Sequence, residues 1–206
     1  MQTLKKITTV FLTLTFILAT VTCKKEVKKT PAKFSIEPQT ITINWTGYKT
    51  TEKIAVNGIF EKINILKTGS IDTSAIGILN GTQFEIPVSS LFSKDSVRDS
   101  KLKDLFFGVM DATNSLKGTL NLNGDGNGTI DLRMNNVQHQ IPISYIISEQ
   151  LVELNGTLNF EDFNLGKALA SLNEACFELH KGPDGVSKTW PEAAIGASIY
   201  LNKKAE

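Results

Sequence analysis

The chain has little of what most enzymes are built around. It holds only 2 histidines and 2 cysteines in 206 residues. His139 and His180 make no H-E-x-x-H pair, and Cys23 and Cys176 have no closely spaced partner. Spacing therefore encodes neither a zinc site nor a disulfide framework. No G-x-S-x-G elbow and no glycine loop ending in Lys-Ser or Lys-Thr occurs. These absences leave no catalytic residue and no metal ligand to assign, and the chain is read as a non-enzyme. An excess of one charge is missing too: 22 basic residues face 21 acidic ones. Nucleic-acid binding needs a concentrated positive face, so that function class is excluded. The longest apolar run, from Ile7 to Ala19, is short and threonine-rich for a membrane span.

What is present begins at the N-terminus. Lys5 and Lys6 precede that apolar run, which is the shape of a secretory signal peptide over residues 1–22. It ends in Leu18-Ala19-Thr20-Val21-Thr22-Cys23, which resembles the lipobox of bacterial lipoproteins. Two readings fit: acylation of Cys23 as a lipid anchor, or ordinary cleavage near residue 22. The first makes the protein an exported, membrane-anchored lipoprotein of the periplasm or outer membrane. Residues 23–37, including Lys24-Lys25-Glu26-Val27-Lys28-Lys29, read as a solvated tether. Residues 38–206 read as one domain.

That domain has a period of two. Ile41, Ile43 and Trp45 alternate with Thr42, Asn44 and Thr46. Similar strands are expected over Ile54–Ile65, from Ile76 through Ile78 to Val88, Leu116–Leu122, Ile130–Met134, Val137–Tyr145, Leu151–Phe160 and Ile195–Leu201. Asn-Gly occurs at 57, 80, 123, 127 and 155, a dipeptide suited to tight hairpins. Short turns imply antiparallel pairing, and hence a sandwich or barrel. Two stretches break the pattern. Leu91–Met110 suggests helical turns across the sheet. Leu165, Leu169, Leu172, Cys176 and Leu179 have helical spacing, ended by Gly182-Pro183. Asn123-x-Asp125-x-Asn127-Gly128 copies the start of a calcium loop, but its twelfth position is Met134, so a hairpin turn is the reading.

The central segment carries a recognisable pattern. Ser89-Ser90, then Arg98-Asp99, Leu102 and Phe106-Phe107 resemble the YceI-like family. Trp45-Thr46-Gly47-Tyr48-Lys49 with Val56-Asn57-Gly58-Ile59-Phe60 resembles the opening strands of its lipoprotein subgroup. Gly118-Thr119-Leu120, and Gly156-Thr157-Leu158-Asn159-Phe160 with Asp162-Phe163, look like later segments. The turn Asn135-Asn136-Val137-Gln138-His139 departs from the family's His-Gly-Val-Thr-Lys. The resemblance implies an all-β, eight-stranded antiparallel, lipocalin-like barrel with one or two short helices. It also implies a bound polyisoprenoid or other amphiphilic lipid, with no further cofactor.

Alternation nominates Trp45, Phe60, Phe84, Leu120, Ile130, Ile143, Leu158 and Phe160 as inward-facing. Each could fill a core or touch a ligand. Arg98 and Asp99 could orient a headgroup at the barrel mouth, or hold a crossing segment in place. The alternative to a lipid carrier is an envelope scaffold with a filled barrel and a protein partner, its identity unknown. Asn173–Glu192, with Trp190, is then the segment to contact it.

Overall fold

The structure is a computed structural model that describes residues 31–204. Cys23, the signal segment and the tether up to residue 30 lie outside the described residues. In chain order the elements are β1 (Lys33–Ser35), β2 (Ile41–Lys49), β3 (Ile54–Phe60), β4 (Asn64–Lys67) and α1 (Ala75–Leu79). There follow β5 (Thr82–Pro87), β6 (Leu91–Phe92), α2 (Ser96–Lys101), β7 (Ser115–Leu122), β8 (Asn127–Met134) and β9 (Val137–Ser148). Then come β10 (Leu151–Asn159), α3 (Gly166–Ala175), β11 (Thr189–Tyr200) and β12 (Asn202–Lys204).

Ten of these strands form one antiparallel sheet in the order β4-β5-β7-β8-β9-β10-β11-β2-β3-β6. The count of ten reconciles with the expected eight through two broken strands. β3 and β4 are one stretch interrupted at residues 61–63, and β5 and β6 are one stretch interrupted at 88–90. The two interruptions face each other. Glu61 N–H donates to Ser90 O at 2.9 Å, and the Ser90 hydroxyl reaches Pro87 O at 2.7 Å. β4 thus meets β5 while β3 meets β6, and eight stretches curl into a ring. Such a ring leaves no long free edge.

Two of the five Asn-Gly dipeptides, Asn80-Gly81 and Asn123-Gly124, lie in turns as expected, and three do not. Asn57-Gly58, Asn127-Gly128 and Asn155-Gly156 lie inside β3, β8 and β10. The β8–β9 hairpin instead uses Asn135 and Asn136, both at positive φ, as a two-residue turn of this kind requires. The Asn123–Asn127 loop is a hairpin turn: Asp125 accepts from Asn127 N–H at 3.0 Å, and the Tyr145 hydroxyl donates to Asn123 O.

Three further expectations are corrected. Ile76 and Ile78 sit in α1 rather than a strand, because Ser74 caps that helix by accepting from Gly77 N–H at 3.0 Å. Residues 33–35 belong to β1, paired with β12, rather than to the tether, and Phe34 and Ile36 pack against the interior. The helix expected over Leu165–His180 ends at Ala175. Beyond it the backbone is drawn into a hairpin in which His180 O accepts from Lys188 N–H at 3.1 Å, and Leu179 is exposed.

Both barrel ends are covered. At one, α1 brings Leu79 against Leu122, Val152 and Leu201, all deeply buried. At the other, the α2 region and α3 bring Phe106, Phe107, Leu165 and Leu172 over the strands, with Phe163 beneath. α3 forms there because Leu165, Ala168, Leu172 and Cys176 fall on one face. Burying a side chain such as Phe163 contributes roughly 1.5–3 kcal/mol.

Candidate functional site

Inward positions follow from register. β11 sets Ile195 beside Trp45 of β2, and Trp45 stands beside Gly58 of β3. Phe84 of β5 stands beside Gly118 of β7. Each glycine leaves the space its neighbour's ring fills: a Cβ at Gly58 or Gly118 would collide with Trp45 or Phe84.

The interior is packed around two small apolar cavities. The central one, about 120 Å³, is lined by Trp45, Phe60, Phe84, Leu120, Ile130, Ile143 and Leu158 among others. The second, about 130 Å³, lies between the strands and α3 and includes Phe160, Phe106 and Leu172. Trp45, Phe60, Leu116, Leu158 and Ile195 line both. All eight residues nominated by alternation therefore face the interior. For comparison, a dry cavity of about 150 Å³ accepts one benzene ring. Each space suits a slender apolar group, and a longer chain requires side chains to move aside.

A third space, a groove of about 660 Å³, opens outside the barrel between the β2–β3 hairpin, α2 and the segment after α3. Trp45 lines this groove as well as both cavities. Its indole Nε1 is buried and has no hydrogen-bond partner among the described residues. Ile54, Val97 and Leu179 give the groove an exposed apolar rim. Lys49, Arg98, Lys101 and His180 supply its polar side.

The expected polar pair is divided. Arg98 lies on the groove and binds Asp95 at 3.0 Å. Asp95 caps α2 through Val97 and Arg98 N–H groups, and the Arg98 backbone N–H and guanidinium hold its carboxyl below the ordinary range. Asp99 is buried and turned away, accepting from Ser93 N–H at 2.9 Å and Ser93 Oγ–H at 2.6 Å. Its work is to pin the crossing segment to β6, because a buried carboxylate must be satisfied by donors.

His180 is fixed by a relay. Thr189 donates its hydroxyl proton to Asn173 Oδ1 at 2.9 Å, so it accepts from His180 Nδ1–H at 2.6 Å. Burial pushes the imidazole pKa down, and Lys49 and Lys101 push it further. His139 sits elsewhere, 3.4 Å from Asp162. Trp190 donates to Thr50 O at 2.9 Å and stacks under Lys53 and Lys188, so its ring is occupied within the chain. Cys176 is a buried free thiol at the end of α3. No group of three metal-ligating side chains exists among the described residues.

No family model matches the sequence, and no curated protein does. Solved structures match the fold. A polyisoprenoid binding domain from Saccharophagus degradans, implicated in plant cell wall breakdown, is 12% identical, with a TM-score of 0.58 over 84% of this chain and 99% of that one. BcnA from Burkholderia cenocepacia is 12% identical, with a TM-score of 0.54 over 82% of this chain and 99% of that one. The chain shares their fold. A YCEI protein from Campylobacter jejuni is 16% identical, with a TM-score of 0.47 over 73% and 86%.

Sequence reasoning missed the groove. Lys49, Lys101, Leu172 and His180 come from separate elements and share no local pattern. Alternation could have added Ile41, Ile43, Leu132, Ile141 and Ile195, which also line the central cavity.

Proposed function

We propose that this barrel binds an apolar chain, of the isoprenoid or related amphiphilic lipid class, and carries or stores it without chemical change. The observation that supports this most is adjacency: one residue, Trp45, borders the two apolar cavities and the polar groove. An amphiphile needs that sequence of surroundings. Each methylene leaving water contributes about 0.8 kcal/mol before association costs. The shared fold with a polyisoprenoid binding domain supports the same reading. The reading requires no catalytic group. It extends to an exported lipoprotein anchored at Cys23 in the periplasm or outer membrane, supported by the lipobox-like Leu18–Cys23 segment.

The test is titration of the purified domain with farnesol, with bound lipid in native preparations read by mass spectrometry of an organic extract. Stoichiometric farnesol binding or a co-purified amphiphile is expected. A domain that takes up neither overturns the proposal. Mass analysis of the mature N-terminal peptide checks the anchor: an acylated Cys23 is expected, and an unmodified one refutes that part.

A further inference from the structure

The groove has more positive charge than its own acids balance. Lys49 donates to Leu179 O at 3.2 Å, and Lys101 donates to Ala175 O at 3.3 Å. Each ammonium has three donors and spends one of them on a carbonyl. Neither lysine has a carboxylate within ion-pair distance among the described residues. Arg98 is the third cation, and the acid beside it, Asp95, is already engaged by that arginine and by the start of α2. Two ammonium groups thus converge on carbonyls four residues apart, at the end of α3 and just beyond it. They stand near enough to His180 to act on its charge.

A second, independent feature lies beside them. The buried Trp45 Nε1–H has no acceptor among the described residues, and an unmet buried donor is destabilising. An oxygen near the head of a guest would meet that donor, while the chain beyond it entered the apolar cavities.

We infer that the groove binds the anionic headgroup of an amphiphile, held by Lys49 and Lys101, with the oxygen-bearing start of its chain at Trp45. This rests on the proposal that the barrel takes an apolar chain, and it names the charge of the ligand that the chain belongs to. Inorganic anions share the headgroup's chemistry but lack the tail that the cavities accept.

The experiment compares farnesyl phosphate, farnesol and inorganic phosphate by calorimetric titration of the domain. Farnesyl phosphate is expected to bind at least tenfold more tightly than farnesol, and phosphate alone far more weakly than either. The double variant Lys49→Met, Lys101→Met should erase the preference, read as the ratio of the two affinities. Those lysines also anchor the end of α3, so a second measurement uses the unaltered protein. Raising the salt to 0.5 M should shrink the preference several-fold without weakening farnesol. Equal affinity for phosphate ester and alcohol overturns the headgroup inference and leaves the chain-binding proposal standing. Binding of neither overturns both. Inorganic phosphate that matches farnesyl phosphate overturns the amphiphile assignment.

Discussion

The indole of Trp45 covers Gly58 of the adjacent strand: their Cα atoms are register partners, and a Cβ on Gly58 would collide with the ring's Cζ2. The backbone of Phe92 closes the other side, since the same Cβ would lie 2.9 Å from its carbonyl oxygen. The ring therefore has a seat that only glycine leaves open.

Gly58→Ala removes that seat. We expect a loss of about 1–3 kcal/mol from overpacking, seen as a lowered urea midpoint, together with a changed near-UV circular dichroism signal as the indole is pushed aside. An unchanged midpoint would show that the barrel accommodates the methyl freely.

Leu158 stands between the two apolar cavities and lines both. Leu158→Ala should join them, at a cost of about 2–5 kcal/mol. The joined space should favour a longer guest: the affinity ratio of geranylgeraniol to farnesol is expected to rise several-fold. A ratio that stays the same would show that guests do not pass this point.

Asp99 holds the crossing segment through Ser93. Asp99→Ala leaves the buried N–H and hydroxyl of Ser93 without their acceptor, an expected loss of about 1–3 kcal/mol in equilibrium unfolding. Ser93→Ala removes one bond and leaves the other, so its loss should be the smaller of the two.

His180 predicts an acid-side weakness. Burial, and then Lys49 and Lys101, hold its folded pKa below the ordinary value. Arg98, Asp95, Lys181 and Glu178 are the other charged groups of the elements around it. The unfolded chain takes up the proton first as pH falls. Stability is thus full above the ordinary histidine range and declines as pH drops through it, levelling once the folded pKa is passed. His180→Gln should flatten that part of the curve. Urea midpoints of both proteins at pH 7.5 and 5.5 provide the check: equal declines would show that His180 is not responsible.

The face of each strand was legible in the sequence because alternation is a local property. Trp45, Phe60, Leu120 and Leu158 all point inward as read. The breaks that turn eight stretches into ten were not legible, since they depend on Ser90 meeting Glu61 across the sheet. Ile76 and Ile78 misled because a two-residue spacing also fits a single helical turn. Gly58 and Gly128 resembled turn residues, yet the first is there to admit a ring. The groove was invisible for a different reason: Lys49 and His180 are 131 positions apart and meet only when the hairpin after α3 folds back.

The ribbon of β1 with β12 has a directional consequence. The chain enters the barrel through Lys33 and runs up β2 from Ile41 to Lys49, nine residues that span about 30 Å. The entrance through which a guest would pass is at the far end of that run. A guest that enters by the groove at Lys49 therefore does so at the end opposite the β1–β12 ribbon, about one strand length from where the chain joins the barrel.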